Sequence, residues 1–122
     1  MARVLVAAQT TPGAYPALQP AANSRDVGFQ ASDTGLGNYT PIVDGKTLVL
    51  ITNINAAPQT VTFQSVPDTL NREGDITAYS LTQYEVALFG PFKNAGWLQT
   101  GTVGLWIDTS DNDVKIAVIT LP

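Results

Sequence analysis

The sequence predicts an all-β protein, and three observations carry that expectation. Between Lys46 and Leu121 short runs rich in Val, Ile, Leu, Thr and aromatic residues recur at close spacing, each bounded by Gly, Pro, Asn or Asp. No stretch longer than a turn shows the apolar spacing of an amphipathic helix. The segment before residue 46 is punctuated by Pro12, Pro16, Pro20 and Pro41, and prolines at that spacing forbid helix and interrupt sheet ladders. The expected architecture is a single small β-sandwich or barrel, jelly-roll-like, of six to seven strands over residues 46–122. An extended Pro/Gly-rich N-terminal arm over residues 1–45 precedes it.

Each element has its own warrant. Arg3–Ala8 (RVLVAA) is short and apolar enough for one edge strand. Residues 9–45 combine the four prolines with Gly13, Gly28, Gly35 and Gly37, and read as an arm that orders against a neighbouring surface. Lys46–Ile54 (KTLVLITNI) is apolar almost without alternation, as in a strand buried on both sides. Gln59–Ser65 (QTVTFQS) alternates strictly, with Val61 and Phe63 on the buried face. Pro67–Gly74 is a loop in which Gly74 takes positive φ, and Arg72 pairs with Glu73 or Asp75 or reaches a neighbour's carboxylate.

Asp75–Leu81 and Tyr84–Phe89 are two further strands, the second ended by Gly90-Pro91. Thr102–Asp108 and Asp113–Leu121 form a hairpin joined by Thr109-Ser-Asp-Asn112. Phe89 and Trp106 point inward from their strands. Trp97, in a Gly-flanked loop, is either a lid over the core or a contact anchor.

Composition narrows the function. The chain has 122 residues, a size that fits one domain. Only 13% of them are charged, well below the usual ~25%, so the surface is built from neutral polar groups, which cost less to bury than ions. A net charge of −4 and singly scattered cations leave no basic stripe for nucleic acid. The apolar run of MARVLVAAQ ends at Gln9–Thr11, too early for a signal peptide, and no window approaches the ~18 apolar residues of a membrane span.

Cysteine and histidine are both absent, which removes the thiolate nucleophile and the commonest general base and metal ligand. The carboxylate pairs Glu73 with Asp75 and Asp108 with Asp113 lie at turns, where Asp caps backbone N–H groups. Asp108, Asp111, Asn112 and Asp113 concentrate oxygen ligands but lack the Gly and the distal Glu of an EF-hand loop. The expectation is therefore no catalytic residues, no metal, no cofactor and no enzyme. The business of such a chain is protein binding, with Tyr15, Leu18, Phe29 and Tyr39 of the arm and Trp97 of the loop as interface candidates.

Several stretches carry a resemblance. Residues 51–63 (ITNINAAPQTVTF), Gly74-Asp-Ile-Thr77, Phe89-Gly-Pro-Phe92, Gly96-Trp97 and residues 117–122 (AVITLP) together resemble small structural proteins of tailed bacteriophages, of the head decoration or cement type. The resemblance covers residues 46–122 and leaves out 9–45. It implies a virion protein made in the host cytoplasm and bound to the capsid exterior. Its partners would be the major capsid protein and other copies of itself, most often as trimers at local threefold positions. A tail-tube, head–tail connector or fibre-associated domain is the nearest alternative. A carbohydrate-binding module, with Trp97 exposed for stacking, is the alternative from another class.

Overall fold

The computed structural model describes residues 2–11 and 26–122. Among the described residues ten short strands build two facing sheets, so the all-β sandwich stands, with more strands than the sequence predicts. The first sheet has the order β1 (Val4–Leu5), β4 (Asn38–Thr40), β9 (Leu105–Thr109), β6 (Gln59–Phe63), β7 (Ile76–Leu81). The second runs β2 (Ala8–Thr10), β10 (Val114–Thr120), β5 (Thr47–Asn53), β8 (Val86–Phe92), and β3 (Gln30–Ala31) also pairs with β10. β1 lies parallel to β4 and β2 parallel to β10; the remaining pairings are antiparallel.

The core lies between the sheets and follows the two-residue period of each strand. β5 contributes Val49 and Ile51, β6 Val61 and Phe63, β9 Leu105 and Ile107, and β10 Val114, Ile116 and Val118. Phe63 meets Phe89 and Phe92 of the opposite sheet, with ring centroids 4.8 and 5.4 Å apart. At those separations tilted rings add attraction beyond their buried area.

Several expectations are corrected. Arg3–Ala8 is not one edge strand. The chain pairs at Val4–Leu5 in the first sheet, crosses at the buried Val6, and pairs again from Ala8 in the second. Nor is the whole of 9–45 an arm: residues 26–45 supply β3 and β4, with Ser32, Asn38 and Thr40 buried. Of the expected arm, residues 12–25 lie outside the described residues. β9 and β10 do not form a hairpin, because they belong to opposite sheets and the turn between them is a crossing.

β8 continues through Gly90-Pro91 to Phe92, and the register shift beside Leu48 absorbs the irregularity. Gly90 has φ of +109°, and a Cβ there would come within 2.7 Å of the Thr47 carbonyl oxygen. In the 67–74 loop the positive φ falls on Asn71, not on Gly74. Arg72 pairs with Asp68 at 2.6 Å, not with Glu73 or Asp75.

Candidate functional site

β5 shows where the sandwich departs from a closed core. Thr47, Val49, Ile51 and Asn53 are buried, whereas Leu48, Leu50 and Thr52 on the other face are half-buried. The expectation of burial on both sides is therefore met on one side only. Register lines the outward residues into rows. Leu50 stands between the buried Ala117 and the exposed Leu88; Leu48 stands opposite Ile119, and Thr52 between Lys115 and Val86. Val86 and Leu88 are 60% and 63% exposed, so the rows end on an open apolar margin. A contiguous outward apolar patch of this kind marks an interaction surface more often than a lone exposed leucine does.

The outer face of the first sheet is built differently. Leu5, Tyr39 and Trp106 share one cross-strand row. Trp106 thus points outward, correcting the expectation that it fills the core, since its neighbours Leu105 and Ile107 take the inward positions. The Arg3 guanidinium sits 4.2 Å from the Trp106 ring centroid and pairs with Asp108 at 2.6 Å. Gln64 also donates to Asp108, at 3.3 Å, and the indole N–H donates to the Thr102 carbonyl at 2.7 Å. Gly37 has φ of +75°, which favours glycine, and a Cβ there would displace the Arg3 Nη1 at 2.5 Å and the Asp108 Oδ1 at 2.7 Å. The guanidinium occupies the indole face on which a sugar ring would stack.

Trp97 closes one end of the sandwich. It is half-buried, packs edge-on against Phe92 at 5.0 Å, and belongs to the rim of the core. It also walls an open cleft of about 390 Å³, lined by Val66, Asp68, Arg72, Gly96 and others. Hydrogen bonds hold the facing loop. The Asp75 carboxylate accepts from both the Ser65 hydroxyl and the Ser65 N–H at 2.7 Å, and Gly74 N–H donates to the Ser65 hydroxyl at 2.8 Å.

These bonds to Ser65, side chain first and backbone second, hold the Asp75 pKa below its ordinary value. Bonds from the Arg72 N–H and guanidinium, with help from the Leu70 N–H, do the same for Asp68. A depressed folded pKa stabilises the loop above the unfolded carboxylate pKa, and that contribution is lost as pH falls through the folded value. The loop at 65–75 should therefore open on acidification below about pH 4. Exchange of the Ser65 amide by NMR should accelerate there, while amides of β5 and β10 stay protected; simultaneous loss would contradict a local origin.

Of the acidic residues singled out from the sequence, Asp75, Asp108, Asp111 and Asp113 are occupied by structural partners. Asp108 is held by Arg3 and Gln64, the Asp113 carboxylate accepts from Asn55 at 3.1 Å, and Asp111 accepts from the Asp113 N–H at 2.8 Å. Asp108 and Asp113 stand at β9 and at the turn into β10, which belong to opposite sheets. Among the described residues no three Asp or Glu side chains converge on a point that could hold a metal ion.

The interface candidates among the described residues do not come together. Tyr15 and Leu18 lie outside the described residues. Phe29 is 39% exposed beside β3 of the second sheet, Tyr39 sits on the outer face of the first, and Trp97 lies at the rim of the core. The outward residues of β5, β8 and β10 were not singled out. Their one sequence signal is the missing alternation in KTLVLITNI, which marks a strand apolar on both faces without saying what covers the second.

The fold and its surfaces thus define a two-sheet β-sandwich whose second sheet carries outward rows of aliphatic side chains. No protein-family model, curated protein or solved structure matches the chain.

Proposed function

We propose that this protein is a virion structural domain that binds the outer surface of a bacteriophage capsid and stabilises it by bridging neighbouring major capsid subunits. The observation that supports the reading is the apolar outer face of the second sheet, where Leu48, Leu50, Val86, Leu88 and Ile119 form adjoining rows. The sequence resemblance supplies the capsid as the partner. Such a face suits docking on protein, because each apolar side chain fully buried at the contact contributes roughly 1.5–3 kcal/mol. On the other outer face the Arg3 guanidinium, paired with Asp108, already covers the Trp106 ring.

Co-sedimentation with expanded heads, followed by electron microscopy of the pellet, tests the reading. The wild-type chain should pellet with regular density on the capsid exterior. The double variant Leu50→Lys/Leu88→Lys should bind at least about 100-fold more weakly, as two buried apolar contacts become charges. Ser80→Lys, on an exposed position of β7, should bind like wild type. Wild-type chain left in the supernatant would overturn the capsid reading. Density confined to the tail would assign a tail or connector role, and a shift in Trp fluorescence on adding glycans would favour carbohydrate binding.

A further inference from the structure

Bulky L side chains rarely adopt positive φ, where the Cβ crowds the backbone. Among the described residues three other than glycine hold it: Asn71, Ala78 and Tyr84. Asparagine tolerates the left-handed region and alanine is small, so Tyr84, at φ of +65°, is the outlier.

The strain sits in the connection between β7 and β8. The Glu85 N–H donates to the Thr82 carbonyl at 3.2 Å, so residues 82–85 form a four-residue turn with Tyr84 third. A left-handed third residue is where such turns take Gly or Asn. Three further bonds hold the turn in place. The Tyr84 N–H donates to the Asn53 carbonyl at 2.6 Å, the Thr52 hydroxyl to the Glu85 carbonyl at 2.9 Å, and the Thr82 hydroxyl to the Glu85 carboxylate. Strained residues persist where their surroundings over-determine them, and they gather at binding sites.

Little within the chain offsets this strain. Tyr84 is 71% exposed, the most exposed of the large hydrophobic residues described, and it meets no other aromatic ring among the described residues. Its surroundings favour protein over sugar. Ile54, next to the Asn53 that holds the turn, and Val86 are exposed aliphatic side chains. The Thr52 and Thr82 hydroxyls and the Glu85 carboxylate are engaged within the turn, which leaves few groups for a sugar's hydroxyls. A rigidly held tyrosine offers a large contact area at little entropic cost, as aromatic anchors at protein interfaces do.

We propose that Tyr84 is the anchor of the docking face and enters an apolar pocket of the capsid subunit beyond the end of β8. It continues the open margin of Val86 and Leu88, two and four residues further on. The proposal rests on the capsid reading and adds the single residue that contributes most to it.

Thermal unfolding and co-sedimentation with expanded heads, run on the same full-length variants, test the assignment. Tyr84→Gly should melt at or above the wild-type temperature, by up to about 4 °C, because the left-handed strain is relieved. It should nevertheless bind heads at least about 30-fold more weakly, the loss that defines an interface hot spot. Tyr84→Asn, which suits the turn without glycine's flexibility, should bind as weakly. Tyr84→Phe should stay within about threefold of wild type, since it keeps the ring, and Gln83→Ala in the same turn should match wild type. A wild-type chain that fails to pellet overturns the capsid reading and this anchor with it. Wild-type binding retained by Tyr84→Gly or Tyr84→Asn overturns the anchor alone. So does a lower melting temperature for Tyr84→Gly, which would mean that contacts within the chain hold the ring.

Discussion

Replacing Phe63 with alanine should cost about 3–5 kcal/mol of folding stability, the largest loss expected from any single truncation in this chain. Phe63 is fully buried at the end of β6 and is the side chain through which the first sheet grips the second. Its ring lies 4.8 Å from Phe89 and 5.4 Å from Phe92, and those two rings in turn touch Tyr79 and Trp97. Truncation removes the buried area and leaves a cavity, and sheets tied by backbone hydrogen bonds can close on it only in part.

Urea denaturation should show a lower midpoint with an unchanged slope, because the surface exposed on unfolding is nearly the same. The thermal midpoint should fall by roughly 10–20 °C for a domain of this size. A loss below about 1 kcal/mol would mean that the sheets do not meet through this cluster.

The second large effect is polar. Asn53 ends β5 with no exposed surface, and it is the most heavily bonded buried side chain that joins the sheets. Its amide donates to the Leu81 and Ala57 carbonyls at 3.0 Å each, and its side-chain oxygen accepts from the Asn55 N–H at 2.9 Å. One residue thus fixes the start of the turn after β5 and ties the second sheet to the end of β7 in the first.

Asn53→Ala should cost about 2–4 kcal/mol, mostly because the buried Leu81 carbonyl loses its donor. Asn53→Asp should cost more at neutral pH, since it keeps the shape, loses both donors and buries a charge. Its deficit should shrink as the pH falls toward the carboxylate range, where the neutral acid can donate one bond again. Equal, pH-independent losses for the two variants would show that packing volume, and not the hydrogen bonds, holds this corner together.

What was legible in the sequence was local. Strict alternation in QTVTFQS placed Val61 and Phe63 in the core, because side chains on a strand can face only two ways. Ser110–Asn112 was rightly a turn and the strand after it was found to within a residue, whereas the strand before it starts at Leu105, three residues later than expected, and runs on through Thr109. The hairpin was the error. Whether two consecutive strands pair with each other or cross to opposite sheets depends on which distant strands claim their edges. Here β4 and β6 claim β9, while β5 and β2 claim β10.

Asn38–Thr40 was missed for a related reason. Three residues between Gly37 and Pro41 are too few to show a period, yet β1 and β9 on either side make them a strand. Asn38 is buried there only because its side chain accepts from the Asp33 N–H and donates to the Val4 carbonyl. Neither partner is within reach of a pattern read along the chain.

The candidate surface divides in the same way. KTLVLITNI already determined that β5 is apolar on both faces, since Leu48 and Leu50 alternate with Val49 and Ile51. Only the tertiary structure decided that the first sheet covers one of those faces and that Val86, Leu88 and Ile119 extend the other. Periodicity along a chain records which side chains avoid water, whereas the layer that shields them is assembled from residues far away in sequence.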